Sequence, residues 1–149
     1  MIERRTMWRQ QQGSAAIEFG LMIPLLLTIL MGLVELGDAM YEAMQVNSAA
    51  EAGAMYAAKN GFDAAGISAA VVNATGTQGI AAVPAPTQFC GCPSAVGVAP
   101  VACNSTCTGN ATPGQYVRIN AALDHRTILP YPGLSLPTTL TAQSIVRIN

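Results

Sequence analysis

Residues 19–34, FGLMIPLLLTILMGLV, contain no charged side chain. As helix this run rises about 24 Å, a little short of the roughly 30 Å hydrocarbon core of a bilayer. Extending it back through Ser14–Ile17 makes it long enough, but then Glu18 falls inside the apolar segment. A carboxylate in lipid costs about 2.5–3.5 kcal/mol or more near the centre, and less towards the interface. Pro24 lies within the run and has no N–H to give the Gly20 carbonyl, which predicts a kink or a locally opened turn. An ordinary secretory signal would need a cleavage site with small residues soon after the run. GLVELGDAM supplies Gly37 and Ala39, but Glu18 and Pro24 fit such a signal poorly.

Charge is scarce and unevenly placed. Only 10% of the 149 residues are charged and 51% are hydrophobic, too apolar for a disordered chain. Arg4, Arg5 and Arg9 stand against Glu3 before the apolar run, and basic residues there favour a cytoplasmic N-terminus. The remainder carries four basic residues against seven acids, with no basic patch that would mark a nucleic-acid partner.

Residues 1–13 read as a polar, basic leader. Helix is expected from Ser14 to about Lys59, because Ala, Met and Glu dominate beyond the run and Asn60-Gly61 is a natural stop. Its membrane part is placed at about 15–35. A seam of period 3.5 runs through Phe19, Met22, Leu26, Ile29, Leu33, Leu36, Met40, Ala43, Asn47, Ala50, Ala54 and Ala57. Such a seam packs on the chain's own C-terminal domain, on other subunits, or on each along different lengths. DAAGISAAVVNATG, 63–76, predicts a second helix capped by Asp63 and ended by Gly76. TQFCGCP, GQYVRINAAL and LTAQSIVRIN read as strands, and the proline-bearing HRTILPYPGLSLP as the loop before the last of them. Residues 61–149 are therefore a small α+β domain with a mostly antiparallel sheet, and the fold class is a long N-terminal helix packed on that sheet.

Cys90, Cys92, Cys103 and Cys107 fit two disulfides if the domain lies in an oxidising compartment. The C-x-C spacing is not a zinc knuckle and no histidine is near, so no metal or other cofactor is expected. Three pairings are open. The nested one, Cys90–Cys107 with Cys92–Cys103, suits a hairpin whose loop is 93–102. His125 is the only histidine and follows Asp124. Adjacent strand residues point to opposite faces, and no nucleophile motif accompanies them, so His125 is expected at the surface or a strand end and no catalysis or small-molecule substrate is expected.

GSAAIEFG, from Gly13, resembles a prepilin cleavage site, and GSAAIEFGLMIP follows the G-x-A-A-x-E-F/L-A-L-x-x-P opening of the TadE-like family, with Gly20 where alanine is usual. The resemblance is strong over about residues 13–60. It implies a type IV pilin-like fold and a minor pilin or pseudopilin of a tight-adherence (Tad, or Flp) pilus, active in assembly and adherence. It implies a cut between Gly13 and Ser14 by a prepilin peptidase, recognition through Glu18 and Phe19, and other minor pilins and the major pilin as partners. The new amine at Ser14 would pair with Glu18 of its own or a neighbouring chain and set the register of assembly, while Pro24 would let the helix open locally. The protein would sit in a bacterial inner membrane with its C-terminal domain in the periplasm, or within the extracellular pilus. The competing expectations are an uncleaved, membrane-anchored adhesin or scaffold, a type II secretion pseudopilin, and a secreted enzyme behind a signal.

Overall fold

The computed structural model describes residues 7–127 and 136–148. Residues 1–6 of the leader and residues 128–135 of the expected loop lie outside the described residues. The order is α1 (Met7–Asn60), α2 (Ala64–Asn73), β1 (Thr87–Ser94), β2 (Gly97–Pro100), β3 (Gly114–Asp124) and β4 (Thr139–Arg147). The long apolar helix and the antiparallel sheet place the chain in the expected α+β class.

Helix α1 begins at Met7 rather than at Ser14, so the second half of the leader is helical. The reason is local: MWRQQQ contains neither proline nor glycine, and Gly13 alone costs a helix about 1 kcal/mol, too little to end it. The helix also continues through Pro24, with helical residues on both sides and no opened turn. It stops where Asn60-Gly61 predicts. Gly61 takes φ +80° and its N–H donates to the Ala57 carbonyl at 2.9 Å, a left-handed cap that favours glycine.

Two units divide the chain near residue 38. In the first, residues 15–34 of α1 leave nearly every side chain exposed. The second unit holds a core. Val46, Ala49, Ala50, Ala54 and Ala57 of α1 meet Ile67 and Val71 of α2 and the inner row of β3, namely Val117, Ile119, Ala121 and Leu123. Small residues on α1 let helix and sheet approach closely. A Cβ built on Gly53 would stand 2.7 Å from Val71 Cγ2 and 2.9 Å from Ile119 Cγ2. Gly53→Ala should therefore lose about 1–3 kcal/mol of stability, although alanine is the better helix former. Urea unfolding of the full chain in detergent checks this; an unchanged midpoint would mean the contact relaxes freely.

The 3.5-residue seam is half right. Ala50, Ala54 and Ala57 are buried, but Met40 is 60% exposed and Asn47 is exposed, while Ala39 and Val46 take the buried places. A helix packed on one sheet keeps a period near 3.6, so a strict 3.5 repeat drifts off its face. Helix α2 starts as expected, with Asp63 Oδ1 accepting from the Ala65 N–H at 3.2 Å, and ends at Asn73, three residues before Gly76.

The sheet runs β2-β1-β3-β4, all neighbours antiparallel. Odd-numbered residues of β3 face the helices. Even-numbered ones, with Phe89 of β1, form the outer face, where Phe89 stacks on Tyr116 at 5.9 Å and the Arg118 guanidinium lies 5.0 Å from the Phe89 ring centre. Strand β2 lies inside the stretch read as a loop.

Both expected disulfides are present, but the nested pairing is wrong: Cys90 joins Cys103 and Cys92 joins Cys107, with Cα–Cα distances of 5.1 and 5.6 Å. Nesting needs one chain reversal, and the structure makes two. The chain turns at Ser94–Gly97 into β2, which returns until the Val101 N–H reaches the Cys90 carbonyl. It then turns again at Ala102–Ser105, so Cys103 lies beside Cys90 and Cys107 is carried back to Cys92.

Candidate functional site

The residues of the cleavage-site motif lie together on the first half of α1. Gly13 and Ser14 are in helix, and Glu18 follows Ser14 by four residues, one turn further and about 6 Å along the axis. Phe19 is 66% exposed, and Leu21, Leu25, Leu30 and Val34 are each more than half exposed. Apolar side chains therefore point outward all round the helix. A helix apolar on every face lies against lipid or other chains, because water would penalise each of these surfaces.

The polar groups of this stretch fit such surroundings. Thr28 Oγ1 donates to the Leu25 carbonyl at 2.8 Å, so its hydroxyl needs no water. Glu18 and Glu35 bracket the uncharged run. Position 20 has open space where a Cβ would stand, so the alanine usual there in the resembling motif would be accommodated. By length and composition the helix can cross a membrane.

The second unit offers a different polar cluster. His125 follows β3, as a strand-end residue should, but it is buried rather than at the surface. Its Nδ1 lies 2.6 Å from Glu42 Oε2 on α1, 83 residues away in sequence. Asp124 points elsewhere and accepts from Thr139 Oγ1 at 3.3 Å. The two neighbours in sequence thus do not converge as base and orienting acid. The His125–Glu42 pair clamps the end of β3 to α1, assisted by the His125 N–H on the Thr138 carbonyl at 2.9 Å. Sequence reasoning missed this role because nothing local to His125 signals Glu42. Glu42→Ala should cost about 1–3 kcal/mol by leaving a buried imidazole without this acceptor; denaturation of the full chain in detergent measures it.

Cys92 and Cys107 lie at the sheet end, where a shallow groove of about 380 Å³ is lined by Pro93, Thr108, Tyr116 and Arg147 among others. Among the described residues, neither a histidine nor an acid lines it.

A long apolar helix leading into a disulfide-tied α+β domain defines a class of pilin-like chains. Residues 13–55 match the family model described as TadE-like protein, so that segment is similar to the TadE-like family. The match begins at Gly13 and ends inside the buried part of α1, so α2 and the sheet lie outside it. No curated protein and no solved structure matches the chain.

Proposed function

We propose that this protein is a minor pilin or pseudopilin of a Tad-type pilus, cut between Gly13 and Ser14 by a prepilin peptidase and acting in pilus assembly and surface adherence. The observation that carries the reading is a TadE-like segment that begins at Gly13 and continues into a helix apolar on every side. In this reading α1 anchors the chain in the inner membrane with its N-terminus in the cytoplasm. The sheet domain lies in the periplasm or on the filament, where its disulfides would persist. Glu18, with the amine released at Ser14, sets the register of one helix beside another, and Glu18 and Phe19 together complete recognition by the peptidase. Pro24 weakens the helix at one point, so it can open locally as the subunit leaves lipid for a filament. Other minor pilins and the major pilin are the expected partners, with membrane lipid around the helix. The chain works by assembly and catalyses nothing.

A second reading is an uncleaved adhesin or scaffold, and the helical continuity across Gly13–Ser14 favours it, since a peptidase must unwind that turn to reach the bond. Mass spectrometry of the intact protein from native membranes decides between them. A first residue of Ser14 supports the pilin reading. A first residue of Met1, in cells with an active prepilin peptidase, overturns it in favour of the anchored scaffold.

A further inference from the structure

We infer that the free edge of β4 is a docking site for an extended peptide segment of another protein, added as a fifth strand. Backbone geometry is the first support. The Ile148 N–H donates to the Gln115 carbonyl at 3.0 Å, and the His125 N–H to the Thr138 carbonyl at 2.9 Å. Both bonds belong to the one β3–β4 register. In an antiparallel pair a residue directs its N–H and C=O to the same side. Even-numbered residues of β4 therefore bond to β3, while Thr141, Gln143 and Ile145 turn six main-chain donors and acceptors away from it, where no other strand is paired among the described residues.

The contrast between the two edges is the second support. At the far side β2 is only four residues long, ends on Pro100, and leads straight into the disulfide-tied loop. Those are the means by which edges avoid pairing. β4 has nine residues, no proline, no glycine and no charge before Arg147. An edge of that kind is a template for strand addition.

The surroundings define the occupant. Beneath the edge runs a groove of about 250 Å³ between α1 and β4, lined by Ala54, Met55, Ala58 and Val146, with Glu51 and Ser144 also present. Met55 is 72% exposed. An added strand would turn alternate side chains into this groove, so those positions are apolar, and one beside Glu51 is basic. The segment has no proline at the positions that bond to Thr141, Gln143 and Ile145. This inference stands on the sheet domain alone and does not depend on the pilus reading.

Amide hydrogen exchange followed by NMR on the full chain in detergent micelles tests it, using the heptapeptide TVTVTKT in excess as probe. Without peptide, the amides of Thr141, Gln143 and Ile145 should exchange faster than those of Ala142, Ser144 and Val146. With peptide, the first three should slow by about tenfold, and the same peptide N-methylated at alternate amides should have no effect. Ile145→Pro removes one outward donor without touching the β3 ladder and should abolish the response; unchanged protection of β3 amides verifies that this variant is folded. The inference is overturned if the three outward amides are already as protected as their neighbours, if the peptide leaves them unchanged, or if it slows all of β4 alike.

Discussion

Gly13→Leu should leave every chain beginning at Met1 in cells whose prepilin peptidase cuts the parent chain at Ser14. The expected change is all-or-none in the mass of the N-terminal peptide, because in the proposed reading the peptidase cuts after Gly13 and would have to seat a branched side chain in its place. Glu18→Gln is the informative partner variant. It keeps the shape of the side chain and removes the charge, so a peptidase that recognises Glu18 by its shape should still cut, and the processed fraction isolates the part played by the charge in assembly. What should fall is incorporation into filaments. A carboxylate at the head of an apolar helix is costly in lipid and is relieved by a neighbouring amine. Ser14 lies one helical turn from Glu18, and cleavage would create an amine there. If that pairing contributes about 1.4 kcal/mol to placing one subunit beside the next, its loss lowers incorporation about tenfold. Processed Glu18→Gln chains that entered filaments at the parental level would remove Glu18 from assembly and leave it as an interfacial residue only.

What the sequence made legible follows from how local each cause is. The long apolar helix reads directly, since an uncharged run with Glu18 before it and Glu35 after it marks its bounds. Helix α2 reads from Asp63, and β1, β3 and β4 read from β-branched residues bounded by proline and glycine. Strand β2 did not, because Gly97-Val98-Ala99-Pro100 has no alternation of its own and is a strand only by pairing with β1. The disulfide pairing failed for a related reason: it depends on a second turn at Ala102–Ser105 that nothing in the cysteine spacing announces. The burial of His125 was hidden because its partner, Glu42, belongs to a different element. In the candidate site the motif residues were visible as a group. That Phe19 and the apolar residues after it face outward on one helix is what the structure adds.

Removing the Cys92–Cys107 bridge by a double serine substitution should destabilise the sheet domain by about 2–4 kcal/mol, which lowers the unfolding temperature by roughly 5–15 °C. The chain between the bridges explains why. Residues 102–112 bury none of their side chains, so little but the crosslinks and a few turn hydrogen bonds holds them against β1. The two bridges interleave along the chain, Cys90–Cys103 and Cys92–Cys107, closing overlapping loops with sequence separations of 13 and 15. Overlap makes their effects less than additive, because the first crosslink already restricts most of what the second would restrict. Full reduction should therefore cost less than twice the single loss. It should also act locally first: proteolysis should cut within 101–113 while the β3–β4 amides remain protected, since that ladder and its contact with α1 contain no cysteine. The measurement is thermal unfolding of the full chain in detergent with and without reductant, alongside limited proteolysis. Equal unfolding temperatures with early cleavage at 101–113 would mean that the bridges order only their own loop. A large fall in temperature with no early cleavage would mean that β1 and the loop unfold together with the core as one unit.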